Sequence, residues 1–237
     1  MLFLSLFLIN LGNQSFAQSD EKLVILHTNL GKIVIEFFPN DAPNHVINFI
    51  KLSENGFYND TIFHRIIPGF MIQGGDPNTK NGDKSTWGTG GSGNFVNAEF
   101  NNIKHNRVIV SMARSADPNS AGSQFFIVHK DSNFLDEQYT VFGRIVTEES
   151  FETLDKIASV ETGDKDIPIN TEQVKITKVE VVNRSEVSNL LELSDPERIT
   201  TPIENSSGSQ LFENETLDVA FNVPEGWLLQ QPKKTGE

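Results

Sequence analysis

"FHRIIPGFMIQGGD", residues 63–76, is the stretch on which the reading of this chain turns. Two short runs of β-branched and aromatic residues stand on either side of Pro68-Gly69, and both read as strands. A strand that only filled a core would have no use for Arg65, yet that cation sits among large apolar side chains, next to His64 and near the amide Gln73. Outward from this stretch the same texture continues. "LVILHTN" and "GKIVIEFF" suggest an antiparallel hairpin, and "RVIVSMA", "SQFFIVH", "YTVFGRIV" and "EQVKITKVEVV" are further strands between segments rich in Gly, Asn, Asp and Pro.

Two segments break the pattern. In "DAPNHVINFIKLSENG" Pro43 suits a first helical turn, Val46, Phe49 and Ile50 share a face, and Gly56 can end the helix. Residues 148–160 open with acids and space Phe151, Leu154 and Ile157 on one stripe, so a second helix is expected there. Eight short strands and two separate helices predict a mainly β fold, a closed eight-stranded antiparallel barrel capped by the helices, since closure removes exposed edges. Strands apolar on both faces imply a packed interior, so a ligand would bind outside.

The ends differ from the middle. Residues 1–17 have an apolar run of about ten residues and then Ser15-Phe16-Ala17 before Gln18, the shape of an export signal, though no Lys or Arg precedes the run. Residues 183–237 carry four basic side chains against ten acidic ones, with clusters such as "ENSSGSQ", and read as an acidic linker. Within them "LDVAFNVPEGW" alternates Leu217, Val219, Phe221 and Val223 as a half-buried strand would; a lone strand is not stable, so it either packs back on the barrel or, as expected here, opens an incomplete second β module. The expected organisation is a signal at 1–17, the β domain at 18–182 and this extension at 183–237. The protein is then exported or secreted, or retained by its uncleaved N-terminal segment.

Composition removes several function classes. With 19 basic and 32 acidic side chains among 237 residues, the formal charge is −13, which opposes binding to nucleic acid or anionic lipid. There is no cysteine, hence no disulfide and no thiolate chemistry. His27, His45, His64, His105 and His129 show no metal-ligand spacing, so neither metal nor cofactor is expected. The glycine run at 88–94 lacks the Lys-Ser or Lys-Thr of a phosphate cradle and reads as a flexible loop, and Ser123 in "AGSQFF" lacks the flanking glycines of a nucleophile elbow.

What remains is a constellation without a nucleophile. "FHRIIPGFMIQGGD", "SMARSADPNSAGSQFFI" and "FLDEQYTVFGRI", in this order and spacing, resemble the cyclophilin family of peptidyl-prolyl cis/trans isomerases over about residues 23–182. The resemblance implies that Arg65 is the catalytic arginine, with Gln73 supporting it, and that Phe70, Met71, Phe126 and Leu135 wall a proline pocket. It implies that Gln124 orients substrate, that Ala113 and the backbone of Arg114 bind substrate main chain, and that His64, Phe134 and Tyr139 belong to the same substrate site. Phe134, Arg114 and Tyr139 depart from the Trp, Asn and His of many eukaryotic members, which bears on cyclosporin affinity. The expected partners are proline-containing peptides and, given the export signal, unfolded or exported proteins, and the protein is expected to be a monomer.

The chemistry is consistent with those residue types. Rotation about an X-Pro bond faces a barrier of about 18–20 kcal/mol and takes roughly tens to hundreds of seconds unaided. No bond breaks; the twisted amide gains a nitrogen lone pair that an always-charged guanidinium can hydrogen-bond while an apolar pocket grips the ring. Reaching milliseconds needs about 10⁴ to 10⁵, roughly 5.5–7 kcal/mol. One charge-assisted hydrogen bond supplies about 1.5–3 kcal/mol, so desolvation and fixation of the flanking main chain must supply the rest. Two rival readings are a proline-binding module that does not accelerate rotation and a β-barrel that carries an apolar ligand inside.

Overall fold

The structure, a computed structural model, describes residues 22–200 and two strands at 210–214 and 219–223. The expected signal at 1–17 lies outside the described residues. Eight antiparallel strands, β1 (Lys22–Thr28), β2 (Gly31–Phe37), β3 (Arg65–Ile67), β4 (Met71–Gly74), β5 (Ile109–Met112), β6 (Phe125–Val128), β7 (Val141–Ile145) and β8 (Ile176–Asn183), form one curled sheet. Their order is β3-β4-β6-β5-β7-β2-β1-β8.

The sheet is a half-barrel, which corrects the expected closed one. β3 and β8 are its edges, tied across the gap by the bridge Ile62–Lys175 and by bonds such as Phe63 N to Val174 O (3.1 Å) and Ile176 N to Thr61 O (2.8 Å) rather than by a ladder. The reason is local. Asp60 takes a left-handed φ of 63° before β3, while residues 171–174 opposite coil into a 3₁₀ turn, so neither chain offers a run of ladder groups.

Helix α1 (Pro43–Glu54) starts with Pro43 in its first turn, and the carboxylate of the distant Glu99 accepts from the backbone N–H of Asn44 and of His45, both at 3.0 Å. Its stripe of Val46, Phe49 and Ile50 closes the concave face of the sheet. There Phe49 lies 5.2 Å from Phe125 edge-on and 5.1 Å from Phe142. Helix α2 (Glu148–Ala158) is capped by the Thr147 hydroxyl, which accepts from Ser150 N, and buries Leu154 and Ile157.

Contacts divide the chain into two units at Ile199 and Thr200. Composition places the end of the β domain at Val182; the first unit continues past it, because residues 184–199 lie along the sheet as a strap. Val187, Leu190 and Leu193 cover Leu23, Val34 and Val146, and Leu191 N donates to Val146 O. The second unit holds a hairpin, β9 (Gln210–Asn214) with β10 (Val219–Val223), in which Phe221 pairs with Phe212. The strand read around residues 217–223 therefore has a partner that the sequence did not announce.

Candidate active site

The site is written by strand register. Arg65 pairs with Gln73 across β3 and β4, Gln73 with Phe126 across β4 and β6, and Phe126 with Ser111 across β6 and β5. Cross-strand partners share a face. One row on the convex side therefore carries a cation, an amide, an aromatic ring and a hydroxyl. The next row, Ile66, Ile72, Ile127 and Val110, faces the opposite way and is wholly buried in the main core. Alternation along "RII" and "MIQG" does both jobs at once.

The hairpin that presents this row is tied at its turn. Pro68 and Gly69 follow Ile67, Phe70 N donates to Ile67 O (3.0 Å), and Gly69 takes a φ of +77°, the geometry of a type II turn. Gly69 N also donates to Nδ1 of His129 (2.9 Å), so the turn is held against β6.

On this convex face lies a cleft of about 410 Å³. Met71, Phe126 and Leu135 form a nearly buried floor, with Phe70, Ala113 and Tyr139 packed around it. Tyr139 meets Phe126 edge-on at 5.8 Å. At the lip the Arg65 side chain is 44% exposed, and its Nε donates to Asp166 Oδ2 at 3.3 Å. Arg114 stacks its guanidinium on Tyr139 at 4.7 Å, with Nε donating to the carbonyl of Gln138 (3.0 Å). His64 also lines the cleft; burial pushes its pKa from 6.5 to about 4, so the ring is neutral at pH 7 and is no proton carrier there.

An amide relay fixes the polar side. Gln73 Nε2 donates to Gln124 Oε1 (2.9 Å), and Gln124 Nε2 donates to the carbonyls of Gly88 (3.0 Å) and Gly90 (2.7 Å). The fully buried Asp76 carboxylate accepts from Gly88 N (2.5 Å) and Gly90 N (3.2 Å). The glycine run read as a flexible loop is thus anchored at its start, and with Gln73, Gln124, Ala113 and Arg114 it lines an adjoining cavity.

Ten of the twelve candidate residues line the cleft: His64, Arg65, Phe70, Met71, Gln73, Ala113, Arg114, Phe126, Leu135 and Tyr139. Gln124 lies in the adjoining cavity, and Phe134, 67% exposed, stands outside the lining with its ring 5.4 Å from Phe70. Lys84, Trp87 and Lys165, with Ser85, Gly88 and Ile167, complete the cleft, and none of them is a site candidate from the sequence. They reach it from the turns at 84–86 and 164–166 and the residues just after them, whose positions no periodicity encodes. Behind Phe126 a buried chain joins Asp136, His105 and Ser111, with His105 Nδ1 2.9 Å from Asp136 and Nε2 3.1 Å from Ser111. Ser111 is wholly buried, so this chain offers no nucleophile to a substrate.

A sequence model of cyclophilin type peptidyl-prolyl cis-trans isomerases matches residues 23–181. The chain belongs to this family. The cyclophilin-like domain is 46% identical over 149 residues to peptidyl-prolyl cis-trans isomerase-like 3 of Dictyostelium discoideum, covering 62% of this chain and 88% of that protein. It is 45% identical over 141 residues to a peptidyl-prolyl cis-trans isomerase of Synechococcus elongatus, covering 60% and 90%. Among solved structures, a cyclophilin type peptidyl-prolyl cis-trans isomerase of Cryptosporidium parvum, crystallised in the presence of the dipeptide Ala-Pro, superposes with a TM-score of 0.59 at 34% identity, covering 66% of this chain and 96% of that one. The cyclophilin domain is therefore a peptidyl-prolyl cis-trans isomerase.

Proposed function

We propose that the convex cleft is where this cyclophilin turns X-Pro bonds, that Arg65 supplies the catalytic hydrogen bond, and that its clients are exported proteins during folding. The observation that carries the site is the placement of an always-charged guanidinium at the lip of an apolar floor made by Met71, Phe126 and Leu135. A pyrrolidine ring on that floor is gripped by dispersion and desolvation while the preceding carbonyl stays free to swing. Arg65 lowers the energy of the twisted amide by donating to its nitrogen lone pair, about 1.5–3 kcal/mol. Gln73, opposite Arg65 and held by Gln124, keeps the donor's surroundings fixed. Ala113 and the Arg114 backbone run beside the floor, where they serve the substrate main chain. The neighbour crystallised in the presence of Ala-Pro supports a prolyl dipeptide as the minimal ligand.

Arg65→Ala separates catalysis from binding. Its kcat/KM on an Ala-Pro peptide is expected to fall about 10- to 100-fold, the loss of one charge-assisted hydrogen bond, with peptide affinity little changed. Equal losses in both would make the cleft a binding module. Export rests on the apolar N-terminal run and Ser15-Phe16-Ala17. Fractionation and intact mass are expected to show an extracytoplasmic protein beginning at Gln18 or retaining its apolar segment; a full-length cytosolic chain overturns it.

A further inference from the structure

The cleft has a charge opposite to that of the protein. Its lining contains Arg65, Lys84, Arg114 and Lys165 and not one carboxylate, although the chain has 32 acidic side chains to 19 basic ones. Most of these cations lack an acidic partner. Among the described residues neither Lys84 nor Lys165 forms an ion pair: the Lys84 ammonium sits 5.5 Å from the Trp87 ring. Among the described residues Arg114 is bound only to carbonyl oxygens and aromatic faces, which leave its charge uncompensated. Of the four, Arg65 alone has an ion pair among the described residues, with Asp166 through Nε.

Of the acids close to this rim, only Asp166 meets a cleft cation, Arg65. Asp83 accepts from Ser85 N and caps its own turn, and Asp164 and Asp166 belong to the 164–166 tip without lining the cleft. That tip is built to hold Lys165 where it is. Gly163 N donates to Ile167 O (2.8 Å), Ile169 N to Glu161 O (3.0 Å), and Thr162 bridges Pro168. Lys165 and Asp166 then both take left-handed backbone conformations, φ 60° and 61°, which cost free energy in residues other than glycine. A concave, partly apolar site focuses the field of its own cations, so a patch of this sign persists inside a molecule of net charge −13.

We propose that this cleft selects prolyl segments flanked by Asp or Glu, whose carboxylates meet Lys84, Lys165 and Arg114 while the proline occupies the floor. This rests on the cleft being the isomerase site. Lysine-flanked prolines meet like charge in the same place and are disfavoured. Because the cations are exposed, each contributes modestly and is screened by salt.

Exchange NMR on the peptides Ala-X-Pro-X-Ala, with X as Glu, Gln or Lys, tests this with the whole protein. At low ionic strength kcat/KM is expected to fall from Glu to Gln to Lys by about three- to fivefold at each step, the effect of one or two exposed charge pairs, and the spread is expected to shrink in about 0.5 M salt. In a Lys84→Glu, Lys165→Glu double variant the gap between the Glu and Lys peptides is expected to close or invert. Equal rates for the three peptides on the native protein, with the Gln peptide turned over, overturn the acidic preference and leave the isomerase site standing. A gap that persists in the folded double variant overturns the role of the lysines. No turnover of any peptide removes the site reading as well.

Discussion

Arg65 and His64 are neighbours in the chain with opposite electrostatic fates, and the contrast explains why only the first of the two brings a charge to the cleft. Arg65 lies at the lip, half in water, with its Nε donating to Asp166. His64 is turned inward, 3% exposed, and its burial holds the ring neutral with a pKa of about 4 against 6.5 free. The linkage has a definite sign. As pH falls below 6.5 the unfolded chain takes up a proton that the folded chain refuses until about pH 4, so stability present above 6.5 is lost through that window. Burial lowers the pKa of His45 and His105 too, so they act in the same direction. Between pH 7.5 and 5.0 His64 alone accounts for about 2 kcal/mol. Urea unfolding of His64→Gln is expected to show a loss on acidification smaller than that of the native protein by about this amount; identical losses would mean that His64 is hydrated in the folded state.

At the scale of elements, what could be read from sequence was whatever a period of two or of 3.6 encodes. All eight strands and both α-helices of the first unit were legible, because each has its apolar face written within one short stretch, as with Ile33 and Ile35 along β2 or Val46, Phe49 and Ile50 along α1. Most of the site was legible for a different reason: three long motifs matched a family. Arg65 and Gln73 read alone would have been two solvated polar residues, and only the register that sets them opposite each other beside Phe126 gives them a common function. What sequence could not carry was set by long-range backbone geometry. Closure failed at residues 60–64 and 171–174, where a left-handed residue and a 3₁₀ turn end the ladder. The approach of Gly75 to Ser123, where a Cβ would collide with the Ser123 carbonyl oxygen, likewise appears nowhere in a local pattern. Lys84 and Lys165 reach the cleft from such turns, which is why composition registered them only as part of the overall charge.

For the molecule as a whole, the stability of the first unit depends on residues whose composition reads as linker. The strap covers Leu23, Val34 and Val146 with Val187, Leu190 and Leu193, and adds an ionic clasp around the nearly buried Glu36. Glu36 accepts from Arg144 Nε (2.5 Å) on its own sheet and from Arg184 Nη1 (2.7 Å) on the strap, while Arg144 Nη1 reaches back to the Ser194 carbonyl (2.6 Å). Further along, Arg198 grips Asp41 with both Nη groups (2.7 and 2.9 Å). A buried carboxylate with two partners is costly to strip of either, and half-buried aliphatic side chains contribute about 1 kcal/mol each. Net charge and Ser-Asn content do not register the strap, because it needs only every third residue to be apolar, as at Val187, Leu190 and Leu193. Replacing Val187, Leu190 and Leu193 together by Ser in the full chain is therefore expected to lower the unfolding free energy by about 3 kcal/mol, read as a shift in urea midpoint. None of residues 184–199 lines the cleft, so kcat/KM on an Ala-Pro peptide at low temperature, where the variant stays folded, is expected to match the native protein. A midpoint that did not move would return residues 184–199 to the status of a tether. A lost activity with an intact fold would instead tie the strap to the cleft through the sheet between them.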